Sequence, residues 1–285
     1  MHFFKKFMPD VFNILTIEEK KNIIDELTTY LCNDFNLEPI PVVLDNKLDK
    51  QNNPILGQLL YEKPFISINE AFITGDVETQ KNIFNRDINL HVFIPYYLMH
   101  TIAHECYHYH QYDTVKKLVS ERLTDENDIN EASLNFVCLY SELLISLNSK
   151  INFSNRECPL SLNDLYRYSP CEVQAEAYAS KITDILGKID YKEYYKYYAD
   201  LEVIDQLEFN KHNIDNGSNL IVKTIEYNLQ LALDFLSYKN KTSGVKTNYL
   251  GLDPFVLEKS VKRILQAWSK KEKSETDFVK KLLKK

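Results

Sequence analysis

The stretch His100-Thr101-Ile102-Ala103-His104-Glu105-Cys106-Tyr107-His108-Tyr109-His110-Gln111 constrains this chain more than any other. It carries one HExxH pattern, formed by His104, Glu105 and His108, and five of the seven histidines fall within it (100, 104, 108 and 110) or shortly before it (91). Residues four apart lie on one face of a helix, so both imidazoles can reach one cation while Glu105 stands beside them. That pattern points to a zinc site with its own general base, and it requires the segment to be helical. Chance would place an HExxH in roughly one per cent of sequences with this content of His and Glu. The rest of the chain therefore has to supply a third ligand.

A catalytic zinc takes three protein ligands and leaves a fourth position for water. The metzincin spacing HExxHxxGxxH needs Gly at 111 and His at 114, and this chain has Gln111 and Thr114. A third ligand from a later helix is the gluzincin solution. The best candidate segment is Cys171-Glu172-Val173-Gln174-Ala175-Glu176-Ala177-Tyr178-Ala179-Ser180, with Glu172 lying 64 positions after His108. Glu172 and Glu176 are one turn apart and share a face with Ala175 and Ala179, whose small side chains permit close helix approach. A competing role exists for Glu172. Ser169-x-x-Glu172 is itself a capping box, in which the carboxylate only satisfies the helix start, leaving Glu176, or neither glutamate, as the ligand. His100 reads as a buried histidine or a partner of the ligands, His110 points away from the 104/108 face, and Cys106 falls on the opposite side as a core residue.

HECYHYHQ followed by SPCEVQAEAYAS resembles the HExxHxxQ…ExxAxxYA pairing of small gluzincin-like metallopeptidases from bacteria and their phages. It is also similar to the ImmA/IrrE-like family, whose members cleave phage or stress-response repressors. The likeness covers about 95–185, and position 174, often acidic in such motifs, is Gln here. The resemblance implies zinc (Zn2+) held by His104, His108 and Glu172, with Glu105 as the catalytic general base. It also implies that Glu176 hydrogen-bonds a ligand histidine, as the carboxylate four positions after the ligand Glu does in thermolysin-like enzymes. The expected activity is that of a zinc-dependent endopeptidase acting on a peptide or protein held along a sheet edge. An oxyanion donor is expected too, with Tyr166, Tyr168 and His212 as candidates. Nothing in this sequence resembles the DNA-binding helix-turn-helix frequent in that family.

The flanking periodicities predict an α+β fold: a zincin-like domain over 1–187 with a small mixed sheet and the HExxH helix, then a mainly helical extension over 188–285. Thr16 and Glu19 form a capping box that opens a helix over 17–33, with Ile17, Ile24, Leu27, Tyr30 and Leu31 inward. Residues 40–44, 57–61 and 65–69 read as short strands, and 88–94 as a further strand or a lead-in. Pro95 suits the first position of the HExxH helix, which runs to about 118. Asp128 with Glu131 opens a core helix over 129–148, and Ser169-Pro170 opens one to about 186. Asp253-Pro254 begins an amphipathic helix carrying Leu257, Val261, Ile264, Leu265 and Trp268, and Tyr191–Tyr198 is a dense run of tyrosine and lysine.

The net charge of −7 argues against nucleic acid or an anionic membrane as partner. Five widely spaced cysteines without a CxxC read as reduced thiols in a cytoplasmic protein. Charges and Pro9 break the N-terminal apolar residues before a signal core forms, so a cytoplasmic protein, or an effector exported without a cleavable signal, is expected. The rival reading is a non-enzymatic binding protein whose zinc site is structural or vestigial.

Overall fold

A computed structural model describes residues 3–47, 55–61, 63–74, 90–158, 160–189, 218–241 and 253–269. The fold is α+β, mostly helical with a three-stranded mixed sheet. Two compact units divide the chain: Met1–His110 with Ala175–His212, and Gln111–Gln174 with Asn213–Lys285.

The first unit opens with a 3₁₀ turn, Phe3–Phe7, and helix α1, Pro9–Phe12, which bury Phe4, Phe7 and Phe12 completely. Helix α2, Ile17–Asp34, begins as expected from its capping box. Thr16 Oγ1 accepts the Glu19 N–H at 3.2 Å, and the Thr16 N–H donates to Glu19 Oε2 at 2.8 Å. The inward face is Ile23, Ile24, Leu27, Leu31 and Cys32, whereas Ile17 and Tyr30, expected inside, are exposed. Strands β1 (Val42–Asp45), β2 (Gly57–Leu60) and β3 (Phe65–Asn69) form the sheet in the order β1-β3-β2. β1 runs parallel to β3, with Val42 opposite Ile66, and β2 runs antiparallel, with Gly57 opposite Ile68. The central strand is buried on both faces, so Ile66 and Ile68 join the core and Ser67 needs a partner, which it finds in Asp45 Oδ2 at 2.5 Å. Asn69 Oδ1 then accepts the Ala71 N–H to start α3, Ala71–Thr74.

Helix α4, Leu90–Val119, carries the HExxH. It begins five residues before Pro95, so the proline stands inside the helix instead of at its first position. The missing N–H removes one ladder bond, an interior cost of about 3 kcal/mol, which burial of Ile94, Tyr96, Leu98 and Met99 around it offsets. Helix α8, Pro170–Ile189, supplies Ala175, Tyr178, Ala179 and Ile182 to the same core.

The described elements of the second unit are all helices. The helix expected over 129–148 is two: α5, Glu126–Leu139, and α6, Ser141–Ile151, interrupted at Tyr140. Its start is set by Asp125, whose Oδ1 accepts the Asn127 and Asp128 N–H groups at 2.8 and 3.2 Å, and not by Asp128. Short α7, Leu162–Arg167, is capped by Ser161. Helices α9, Ser218–Lys241, and α10, Pro254–Ser269, complete a core of Phe136, Leu144, Ile225, Ala232, Leu257 and Val261. Leu257, Val261 and Ile264 face inward on α10 as expected, and Leu265 is exposed. The Tyr191–Tyr198 run and His212 lie outside the described residues. Among the described residues no helix is long and apolar enough to cross a membrane.

Candidate metal centre

Helix α4 presents His100, His104 and His108 along one stripe, one turn apart. The Nε2 atoms of His104 and His108 face each other at 2.9 Å. On the other side of the His104 ring, Nδ1 lies 3.5 Å from Glu176 Oε2, while Glu176 Oε1 lies 3.3 Å from His100 Nε2. A proton on His104 Nδ1 satisfies the carboxylate and leaves Nε2 as a lone pair aimed at His108. Burial opposes ionisation of Glu176, but the charge and hydrogen bonds of His100 and His104 outweigh it and hold the carboxyl well below the usual range.

Among the described residues, one group of three could hold a metal ion: His104, His108 and Glu172, each offering a ligand atom, all within 4.8 Å of one another. Tetrahedral zinc at its usual bond lengths sets donors about 3.3 Å apart. The two imidazole nitrogens are thus a few tenths of an ångström from that spacing. Two nitrogens and a carboxylate oxygen suit a borderline-soft divalent cation, and three such ligands would leave it room for a further one. Of the two glutamates that the sequence leaves in competition, Glu172 joins the histidine pair and Glu176 backs His104. The capping contact at Glu172 comes from its backbone, the N–H donating to Ser169 Oγ at 3.3 Å.

The partners that hold the two helices together are mostly illegible in the sequence. Tyr96 Oη donates to Thr183 Oγ1 at 3.1 Å, and the rings of Tyr107 and Tyr178 lie 5.2 Å apart. Tyr178 donates to Asp34 Oδ2 at 3.2 Å, and burial first, then the Asp34 charge, pushes its phenol up. Gln111, in the position where a metzincin needs glycine, is fully buried. Its Nε2 donates to the Cys171 carbonyl and to Gln174 Oε1, both at 3.0 Å, which pins the residue before Glu172.

The remaining expectations sort plainly. Glu105 is buried beside the histidine pair in the chain, and its Oε2 accepts the backbone N–H of Leu59 on β2 at 2.8 Å. His110 stacks on Phe35 at 4.4 Å, away from the 104/108 pair. Cys106 is a core thiol, and the hydrogen bond it donates to Cys32, with burial, pushes it far up. Tyr166 is exposed on α7. No family model, curated protein or solved structure matches this chain, so its centre has to be read from its own residues.

Proposed function

We propose that the protein is a zinc-dependent endopeptidase of the zincin type, with His104, His108 and Glu172 as ligands and Glu105 as general base. The observation that carries this reading is the meeting of Glu172 with the two histidines of an HExxH, from 64 positions away in sequence. When bound, zinc supplies Lewis acidity and brings water towards neutral ionisation. The chain supplies the rest. Glu105 takes the proton of the attacking water and passes it to the leaving amine. Glu176 keeps His104 in the tautomer whose Nε2 is a ligand. The substrate is a peptide or protein in extended form, laid along the edge of β2 that is open among the described residues, apart from the Leu59 N–H that Glu105 takes.

The test uses zinc-loaded full-length protein and a proteome-derived peptide library read by mass spectrometry. Glu105→Gln should retain one zinc by elemental analysis and lose at least about a hundredfold in cleavage rate. A Glu105→Gln protein as active as wild type refutes the mechanism. Zinc-loaded wild type that cleaves nothing favours a structural site in a binding protein.

A further inference from the structure

Among the described residues, strand β2 is an edge strand, paired only with β3. An N–H on its open side has no sheet partner, and at Leu59 the residue is only 4% exposed, so water does not serve instead. Its partner is Glu105 Oε2 at 2.8 Å, a short bond to a carboxylate. Among the described residues Glu105 Oε1 has no hydrogen-bond partner. Two residues back, Gly57 lies hard against α4. A Cβ there would sit 2.2 Å from Thr101 Cγ2 and 3.7 Å from Glu105 Cγ. Thr101 cannot swing aside cheaply, because it is β-branched and its hydroxyl is spent on the Tyr97 carbonyl at 2.8 Å. A side chain at 57 would therefore push the strand off the helix.

We propose that Gly57 and the Leu59 N–H are positioning residues for Glu105, which divide the work of its two oxygens: Oε2 is held by the strand and Oε1 takes the proton. This rests on the hydrolytic reading above. A carboxylate free to turn offers its oxygens at random angles, whereas one anchored at Oε2 presents Oε1 in one orientation, and proton transfer depends on that geometry. The same strand that receives the substrate thus sets the base, so substrate position and base position share one reference.

The test compares Gly57→Ala, Gly57→Ala with Thr101→Ser, and Glu105→Ala with wild type, all zinc-loaded and ¹⁵N-labelled. Serine keeps the Thr101 hydroxyl and removes the methyl that the new Cβ would strike. In Glu105→Ala the Leu59 amide resonance should move upfield and its hydrogen exchange quicken by about tenfold or more. Gly57→Ala should do the same to that amide at unchanged zinc content. It should also lower kcat on the fastest-cleaved library peptide by about tenfold to a hundredfold, with KM little changed. Adding Thr101→Ser should restore both the amide and kcat. The proposal is overturned if Gly57→Ala leaves the Leu59 amide and kcat at wild-type values, or if the double variant recovers stability without recovering kcat. Should Gly57→Ala fail to fold, the Glu105→Ala amide shift and the double variant decide the matter alone. Wild type that holds zinc and cleaves no peptide overturns the hydrolytic reading and the division of roles with it. That outcome is distinct from an active wild type whose kcat ignores Gly57→Ala.

Discussion

Replacing Gln111 with leucine is the sharpest test of how the helix bearing the two histidines is tied to the one bearing Glu172. Gln111 is 1% exposed and its Nε2 makes two bonds at 3.0 Å, to the Cys171 carbonyl and Gln174 Oε1. Leucine has similar bulk but no donor, so the loss is chemical and not volumetric. Gln174 is 4% exposed, and its oxygen would be left buried without a partner, a cost of about 1–3 kcal/mol. The Cys171 carbonyl keeps its place in the helical ladder and loses less. The expected destabilisation is therefore about 2–3 kcal/mol in urea unfolding of the metal-free protein. Gln111→Leu with Gln174→Leu removes both partners and should recover most of that, leaving a coupling of about 1–2 kcal/mol. Because Cys171 precedes Glu172, the single variant should also bind zinc more weakly in a chelator competition. A single variant costing under about 0.5 kcal/mol, or a double variant costing the sum of the two singles, would refute the reasoning.

Two further outcomes follow from the described geometry. Glu172→Ala should abolish stoichiometric zinc, whereas Glu176→Ala should weaken it by about tenfold to a hundredfold, measured by elemental analysis and competition; the reverse ranking would exchange their roles. Asp234 accepts from Ser154 Oγ at 2.7 Å and Arg156 Nε at 2.9 Å; burial raises its carboxyl, but these bonds and that of Gln230 hold it below its ordinary value. A depressed folded-state value stabilises above the unfolded value of about 3.9 and is lost as pH falls through the folded one. Asp234→Asn should thus be less stable than wild type at pH 6, the gap closing below about pH 4; a gap constant from pH 6 to 3 argues against the assignment.

What was legible in the sequence was local. The Thr16–Glu19 box opens α2 because cap and partner are three residues apart and need nothing else. β3 falls where its alternation places it, Phe65–Asn69. Tyr30, by contrast, is apolar enough for the core but is met by the edge of Phe4 at 5.5 Å and left exposed on its other side. Which flank of an amphipathic face is covered depends on neighbours that periodicity does not name. Pro95 followed the same pattern: the local preference for a first position gave way to a helix whose burial on both sides of the proline outweighs one missing bond.

The sequence by itself determined that His104 and His108 share a helical face with Glu105 between them, because 3.6 residues per turn is a property of the backbone. It also offered Glu172 and Glu176 as candidates for a third donor. The tertiary structure groups Glu172 with His104 and His108, their ligand atoms within 4.8 Å of one another, and sets Glu176 beside Nδ1 of His104. It alone disclosed Gln111 as a tie and the Leu59 N–H as the partner of Glu105. The physical reason is range. An amide whose acceptors lie 60 and 63 residues on carries no signature until the chain is folded, and a backbone N–H carries no residue identity at all.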